Sequence, residues 1–257
     1  MSNTKPNDKI CDNTIAARSL AGRVAVVTGA SGGVGRAASI ALSQEGVHLC
    51  LVGRNSKALA ETAAMTQQFS EAESFEIDIT VEQNSRSLRL RLERELGRLD
   101  ILVHCAGVIR QAAMGQSSTE DFDLQYATNV RAPYVLTREL LPLLTAAKGQ
   151  VVFINSSVGL TASRAEVGQY SATKHALRAI ADSLREEVNP KGVSVLTMYL
   201  GRTATAMQEA VCRAEGKPYR PETLLQPEDV ASLMVQVLKL PPSAEVTDIS
   251  IRPMIKP

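Results

Sequence analysis

Two side chains four residues apart, Tyr170 and Lys174, are the clearest candidates for chemistry in this sequence of 257 residues. The segment around them has the period of a helix, and residues at i and i+4 share a helix face. A free phenol has a pKa near ~10, but an adjacent buried ammonium favours the phenolate and lowers that value. The pair therefore suits proton transfer to or from a carbonyl oxygen. The same spacing occurs by chance in many helices, so the interpretation depends on the rest of the chain.

A glycine-rich turn, residues 28–35 (TGASGGVG), joins the first predicted strand to a helix. Glycines allow a tight turn, and a helix N-terminus offers free N–H groups to a pyrophosphate. The spacing Gly29, Gly33, Gly35 starts directly after the strand, whereas a GxGxxG-like match at Gly33, Gly35 and Ala38 starts too late. We predict a dinucleotide-phosphate site here, the alternative being an ordinary glycine-rich turn.

The composition excludes several classes of function. Lys plus Arg (28) nearly balances Asp plus Glu (27), so neither nucleic acid nor an anionic membrane is an expected partner. The four cysteines have no paired spacing, which favours free thiols in a reducing compartment over disulfides or a metal site. Residues 1–19 are polar, with no secretory signal, and no apolar run is long enough to span a bilayer. We expect a cytoplasmic protein with a flexible N-terminal arm (1–19), a small-molecule partner and no metal.

Alternating elements would position these side chains. Seven short apolar runs alternate with segments of helical period, the pattern of a parallel sheet with helices on both faces. The segment Leu88–Leu92 alternates like a strand, but its leucines also form a helix stripe, and a crossover is needed there, so we predict a helix. No linker divides residues 20–257, which we interpret as one α/β domain with a Rossmann-like, doubly wound parallel sheet. The predicted strands are Val24–Val27, Val47–Val52, Ser74–Ile77, Ile101–Cys105, Gln150–Asn155, Val193–Met198 and Glu245–Ile251.

With both motifs in this order, the chain resembles the short-chain dehydrogenase/reductase family, whose motifs are TGxxxGxG and YxxxK. The resemblance covers about residues 20–251, and the intervals 28, 13 and 4 that separate Asn129, Ser157, Tyr170 and Lys174 are those of the family's catalytic tetrad. Ser156 is the neighbour most easily confused with Ser157, and the family spacing selects the second. The resemblance implies that Tyr170 is the general acid/base and that Ser157 binds the substrate oxygen. It also implies that Asn129 holds a water beside Lys174.

The end of the second strand bears on the cofactor. A carboxylate there would bind a ribose 2′-OH, whereas an arginine pairs with the 2′-phosphate of NADP. The sequence has Arg54, so NADP(H) is favoured over NAD(H) unless Arg54 faces solvent. Asp78 matches the family position that receives the adenine amino group, with a helix cap as the alternative. The resemblance implies these cofactor-binding residues: Gly29, Ser31, Gly33, Val34, Gly35, Arg54, Asp78, Ile79, Cys105, Ala106, Gly107, Tyr170, Lys174, Thr203 and Thr205.

Three family motifs are altered in this chain. The motif NNAG reads HCAG at residues 104–107, Leu200 replaces the proline of Pro-Gly, and the last strand lacks DGG. Cofactor contacts of the first motif are largely through backbone in the family, so binding can survive the change. A lone histidine such as His104 is more often structural than catalytic.

The segment after the sixth strand, about residues 200–226, is predicted to form a substrate lid because it is long and mixed in character. Its helical stretch, Ala206–Ala214, suits permanent core packing equally well. Arg110, Arg164 and Arg202 are expected near the pocket, where converging arginines would bind an acidic substrate. Arginines that face water are the alternative.

We therefore expect an NADP(H)-dependent carbonyl reductase, or the reverse alcohol dehydrogenase, acting on a small carbonyl or alcohol substrate. One rival is a cofactor-sensing or scaffold protein that kept the fold and lost the chemistry, but the complete tetrad argues against it. Another is an epimerase or dehydratase of nucleotide-linked sugars, which would usually have a longer C-terminal region. The helices predicted at Glu120–Ala147 and Gly168–Val188 pair subunits in many relatives, so we expect a homodimer or homotetramer.

Overall fold

The computed structural model describes residues 18–162 and 164–255, and these contain one parallel sheet. Its order is β3-β2-β1-β4-β5-β6-β7, so the chain changes direction between β1 and β4, where doubly wound folds bind their ligands. The seven predicted strands and their arrangement are confirmed, while the predicted arm lies almost entirely outside the described residues. The strands are β1 (Val24–Thr28), β2 (His48–Gly53), β3 (Ala72–Glu76), β4 (Ile101–His104), β5 (Gln150–Ser156), β6 (Ser194–Leu200) and β7 (Asp248–Ile251).

Helices cover both faces of the sheet. The helices are α1 (Gly33–Gln44), α2 (Ser56–Thr66), α3 (Glu82–Glu95), α4 (Thr119–Tyr126), α5 (Ala132–Ala147), α6 (Gly168–Val188), α7 (Ala206–Ala214) and α8 (Pro227–Leu238). Buried side chains of α1, α2 and α8 form one core layer, and those of α3, α5 and α6 form the other. The segment Leu88–Leu92 lies in α3, as predicted from its leucine stripe.

The two layers divide the side chains of each strand. In β1, Ala25 and Val27 face one layer while Val24 and Val26 face the other, because successive side chains in a strand point to opposite faces. All four are buried, which explains why the strand reads as a continuous apolar run. Burial of each valine stabilises the fold by roughly 1.5–3 kcal/mol. Across the described ranges, no helix is long and apolar enough to cross a membrane.

The long helix predicted before β5 is interrupted at Asn129. The helix α4 continues into a π-helical turn, Ala127–Arg131, before α5 begins. A π turn adds a residue to the helical repeat and is frequent at functional sites. Here it turns Asn129 inwards, where the residue is 1% exposed.

The two ends of the predicted lid segment, about residues 200–226, lie next to each other. Thr203 and Leu225 form an isolated parallel bridge, and the Ala204 N–H donates to the Leu225 carbonyl at 2.8 Å. Between them lies α7, whose residues Val211 and Cys212 are buried. The helix thus has the bounds predicted for it and packs its inner face against the protein. Its movement as a lid stays a prediction.

Candidate active site

A cleft of about 580 Å³ opens at the carboxyl ends of the strands. It extends from Arg54 and Asp78, which follow β2 and β3, to Tyr170 and Lys174 on α6. Every residue predicted to bind the cofactor lines this one cleft, including Thr203 and Thr205 at the start of the lid segment. Asn129 does not line it, although its neighbour Thr128 does.

The glycine turn comes so close to other backbone that no side chain would fit. Gly29 has φ +67°, and a Cβ on it would lie 2.8 Å from the Ala106 nitrogen. A Cβ on Gly35 would collide with the Gly29 carbonyl. Gly33, the first residue of α1, has φ +52°, and a Cβ on it would lie 3.0 Å from the Thr205 side chain, so all three positions of the spacing favour glycine. The turn therefore presents bare backbone and a helix N-terminus to the cleft, an arrangement that fits the pyrophosphate of a dinucleotide.

Two side chains that sequence reasoning passed over hold this turn in place. The Thr28 hydroxyl accepts from the backbone N–H groups of Cys105 and Ala106, each at 3.2 Å, and so joins β1 to the altered HCAG turn. Arg36 on α1 donates to the Ser31 carbonyl at 3.0 Å. Thr28 is part of the glycine motif, which could have signalled its role, but no sequence signal points to the contact of Arg36.

Arg54 and Asp78 face each other at the outer end of the cleft. The Arg54 Nη1 lies 3.9 Å from the Asp78 Oδ2, and the two side chains are 62% and 39% exposed. The other Asp78 oxygen accepts from the N–H and the hydroxyl of Thr80 at 2.9 and 2.7 Å. Burial acts to raise the pKa of Asp78, but these hydrogen bonds and the Arg54 charge outweigh it and lower the pKa. The N-cap residue of α3 is Val81. Asp78 is therefore not the helix cap, and its side chain instead stabilises the loop before α3.

Lys174 lines the inner end of the cleft, and Asn129 is buried next to it. The Lys174 ammonium donates to the Ile154 carbonyl at 3.2 Å and is 5.7 Å from the centroid of the Tyr170 ring. The Asn129 amide donates to the Val108 carbonyl and the Thr173 hydroxyl, and its oxygen accepts from the Val108 N–H at 2.8 Å. Both amide protons are thus used, and one lone pair of the oxygen remains for a water.

Two consecutive serines, Ser156 and Ser157, line the cleft beside Tyr170. Ser156, the last residue of β5, is close enough to the Tyr170 phenol to act on its pKa, whereas Ser157 is exposed and begins a short 3₁₀ turn. Both serines line the cleft, but they point in different directions because they are consecutive along the chain. The predicted interval of 13 residues selected Ser157. Which of the two hydroxyls binds the substrate oxygen stays a prediction.

The pKa values at this end differ in direction from the predicted ones. Burial raises the pKa of Tyr170 to about 12, and the nearby Ser156 hydroxyl opposes this rise. Burial lowers the pKa of Lys174 to about 8, with the nearby Cys105 acting in the opposite sense. The lowering of the Tyr170 pKa that we predicted from Lys174 is therefore not found. At neutral pH the phenol holds its proton and the ammonium is mostly charged, so both groups can donate.

Asn155 was missed in the sequence and connects β5 to α6. Its amide donates to the Lys174 carbonyl at 3.1 Å, and its oxygen accepts from the Ser156 N–H at 2.8 Å. The residue is 3% exposed. A Cβ on Gly159 would lie 2.8 Å from the Asn155 oxygen and 3.0 Å from the Lys174 carbonyl. The turn after β5 therefore has room only for glycine at this position. Asn155 therefore fixes Ser156 relative to Lys174.

His104 has a structural environment. Its Nε2 is 2.8 Å from the Thr137 hydroxyl, and its ring stacks on Phe153 with centroids 4.9 Å apart. Burial lowers the pKa of His104 to about 3, so the ring is neutral at physiological pH. The residue is absent from the cleft lining, which agrees with the structural interpretation.

Comparisons with known proteins identify the family. Residues 23–216 match the family described as short chain dehydrogenase. An uncharacterised oxidoreductase of Staphylococcus epidermidis is 31% identical over 233 residues, which are 90% of this chain and 97% of that protein. An alcohol dehydrogenase of the archaeon Thermococcus sibiricus, complexed with 5-hydroxy-NADP, is 25% identical with a TM-score of 0.83, covering 91% of this chain and 98% of that one. A metagenomic short-chain oxidoreductase in complex with NADP is 27% identical with a TM-score of 0.80, covering 93% and 100% of the two chains. The chain therefore belongs to the short-chain dehydrogenase family.

Proposed function

We propose that the protein is an NADP(H)-dependent oxidoreductase that interconverts a carbonyl compound and an alcohol, with Tyr170 as general acid and base. The observation that carries the proposal is the meeting of Tyr170, Lys174 and Ser156 in the cleft that also contains the glycine turn. A phenol and a hydroxyl that face one point can bind a carbonyl oxygen and exchange a proton with it. The NADP ligands of the two structural relatives support the choice of cofactor.

The residues that line the cleft fit a dinucleotide along its whole length. The glycine turn and the start of α1 would hold the pyrophosphate, Lys174 the nicotinamide ribose, and Thr203 and Thr205 the carboxamide. When bound, the nicotinamide ring supplies or accepts a hydride at the carbonyl carbon. The chain's own part is to orient the two reactants and to manage the proton.

In the direction of reduction, Tyr170 gives its hydroxyl proton to the carbonyl oxygen while Ser156 donates a hydrogen bond to the same oxygen. The raised pKa of Tyr170 keeps that proton in place until negative charge develops on the substrate oxygen. Lys174 can then return a proton to the tyrosinate through a water held by the remaining lone pair of Asn129. The reverse order serves alcohol oxidation.

The preference for NADP(H) rests on Arg54. Its separation of 3.9 Å from Asp78 exceeds the length of a hydrogen bond, so its donors remain available for a 2′-phosphate. Arg36 is committed to the carbonyls of Ser31 and Ala58 and to Glu61. Arg54 is therefore the cation at this end that would discriminate between the two cofactors.

We also infer a homodimer or homotetramer that uses the long helices. Three aromatic side chains on α4 and α5, Phe122, Tyr126 and Tyr134, are 37%, 47% and 51% exposed. Aromatic residues on an outer face are typical of subunit interfaces. The mass in solution tests this, and a monomer at micromolar protein concentration contradicts it.

The decisive experiment for the reaction follows a label. Protein is incubated with NADPH that carries two deuterium atoms at C4 and with a panel of neutral and anionic aldehydes and ketones. We expect deuterium on the carbinol carbon of the product alcohol, with one NADPH consumed per alcohol formed. If the purified protein binds NADPH but transfers no label to any of them, and behaves like the Tyr170→Phe variant, the non-catalytic alternative replaces this proposal.

A further inference from the structure

A buried carboxylate lies between three cations at the lid end of the cleft. Glu215, just after α7, accepts from the Arg202 Nη2 at 2.8 Å on both oxygens, and the Lys217 ammonium lies at 3.2 Å. Arg164, from the loop between β5 and α6, also pairs with Glu215. The Glu215 side chain is only 10% exposed. Burial acts to raise its pKa, but the hydrogen bonds from the three cations outweigh it and lower the pKa to about 2.

The cluster carries an excess of positive charge. One carboxylate faces three cations, which leaves a net charge of +2. Arg164 and Arg202 line the cleft, whereas Glu215 and Lys217 do not. Within the described part of the chain, Asp78 is the only carboxylate on the cleft wall, and it lies at the opposite end. The lid end therefore presents guanidinium groups to a ligand and keeps their counter-charge behind them.

Both guanidinium groups have donors to spare. A guanidinium has five N–H groups in a fixed plane. The contacts described with Glu215 use the Nη2 of Arg164 and the Nη2 of Arg202, and the Arg202 Nη1 adds a contact of 4.0 Å to the Cys212 sulfur. Because Glu215 accepts from one nitrogen of each group, the two arginines are held near each other before any ligand arrives. Pre-organisation of this kind reduces the ordering cost of binding.

The wall between this cluster and Tyr170 is apolar. Val158, Val167, Leu200, Met207 and Val211 all line the cleft, and they belong to the two chain segments that carry Arg164 and Arg202. A ligand that spans this wall would place an apolar body against it, a polar oxygen at Tyr170 and an anionic group at the two arginines.

We propose that the substrate is a carbonyl compound whose apolar body ends in an oxyanion group, a carboxylate or a phosphate, which Arg164 and Arg202 bind. This rests on the proposed function, because Tyr170 defines the carbonyl end. Arg110, the third arginine expected at the pocket, is outside the cleft lining and lies 3.5 Å from Asp121. It takes no part in the site and serves as a matched control.

The test measures binding without turnover. Wild-type protein saturated with NADPH is titrated calorimetrically with 4-(hydroxymethyl)benzoate and with 4-(hydroxymethyl)benzamide, which differ in charge but not in shape. We expect the acid to bind at least about tenfold more tightly than the amide, since each charge-assisted contact contributes that order of discrimination. Arg164→Gln and Arg202→Gln should each remove most of this ratio, whereas Arg110→Gln should keep it.

Equal binding of acid and amide to wild-type protein, no binding of either, or an acid preference retained by both cleft variants would overturn the proposal. The double variant Arg202→Gln/Glu215→Gln removes a charge pair together, and it replaces Arg202→Gln if the single change impairs folding. A third titration uses 4-(hydroxymethyl)phenyl phosphate. Comparison of its dissociation constant with that of the carboxylate shows which of the two oxyanion groups the site prefers. If NADPH does not bind, the acid and the amide are titrated into protein without cofactor, and the ratio of their affinities is compared in the same way. Failure of the proposed function would appear separately, as absence of label transfer to every carbonyl compound of the panel, neutral or anionic.

Discussion

The two ends of the cleft hold their ligands by different means. At the end formed by β1, β2 and β3, the surface is mostly backbone, and the charged pair Arg54 and Asp78 is 62% and 39% exposed. At the end formed by β5, α6 and the lid, side chains from distant segments meet, and Lys174 is 5% exposed. Water and salt screen charges at the first end, whereas charges at the second act in a medium of lower dielectric constant.

This difference has consequences for variants. Changes at the outer end should alter cofactor affinity modestly, in a way that depends on salt. Removing a hydroxyl that faces the substrate at the inner end should alter turnover by orders of magnitude and leave cofactor affinity nearly constant, because a general acid acts mainly in the transition state.

The largest effect is expected for Tyr170→Phe. Phenylalanine keeps the ring and removes only the proton that reaches the substrate oxygen. Loss of a general acid reduces the rate by about 10²–10⁴-fold, and we expect the upper part of that range because the Ser156 contact is lost as well. The rate constant of a single turnover with bound NADPH measures it. The dissociation constant of NADPH, followed by nicotinamide fluorescence, should stay within a few-fold of wild type. A parallel loss of NADPH binding would contradict the division between the two ends.

The next effect distinguishes two adjacent serines. Ser156→Ala removes the hydroxyl beside the Tyr170 phenol, so kcat should fall by about 10²-fold, as for other donors to a developing oxyanion. Ser157→Ala changes an exposed side chain of similar size and should leave kcat within a few-fold. Steady-state kinetics of both variants under one condition provides the comparison. The reverse ranking would restore the serine that the sequence interval selected.

The serine pair marks a limit of the sequence. Strand order, the helix at Leu88–Leu92 and the glycine spacing could be predicted because they follow from local periodicity and from backbone geometry. The choice between Ser156 and Ser157 is a different kind of question, because it depends on where β5 ends and on how the following loop turns into α6. An interval along the chain records neither.

The direction of the Tyr170 pKa was mispredicted for a similar reason. The sequence shows a cation four residues away, but not how deeply both groups are buried. Burial proved to be the larger cause for Tyr170 and for Lys174 alike. The contacts of Asn155 and Arg36 were missed because they join segments that only the folded chain brings together.

The pH dependence of alcohol oxidation tests the inner end further. Oxidation needs the Tyr170 phenolate, and with its pKa raised to about 12 the phenolate fraction grows about tenfold per pH unit below that value. Lys174, 5.7 Å from the Tyr170 ring, loses its positive charge near pH 8, and we expect the two titrations to be coupled. We therefore expect kcat/KM for oxidation to rise with unit slope up to about pH 8 and to level off above it. Reduction, which uses the protonated phenol, should be flat over the same range.

Initial rates in both directions across this range provide the measurement. His104 cannot produce such a rise, because burial lowers its pKa to about 3 and it carries no charge under these conditions. An oxidation rate that stays constant or falls as the pH rises to 8 would contradict the assignment of Tyr170 as base.

The smallest effect is expected at the outer end. Arg54→Gln removes the guanidinium that would face a 2′-phosphate, so the dissociation constant of NADPH should rise about tenfold while that of NADH stays unchanged. Asp78→Asn, which removes the carboxylate 3.9 Å from Arg54, should tighten NADPH binding a few-fold by relieving repulsion. Added salt should weaken NADPH binding to wild-type protein and leave Arg54→Gln nearly unaffected, because the pair is exposed and therefore screened. Fluorescence titrations at two salt concentrations measure all of these values, and the absence of tryptophan from the chain leaves the nicotinamide emission undisturbed. Salt-independent binding of NADPH would mean that the outer end, like the inner one, recognises its ligand in a site closed to solvent.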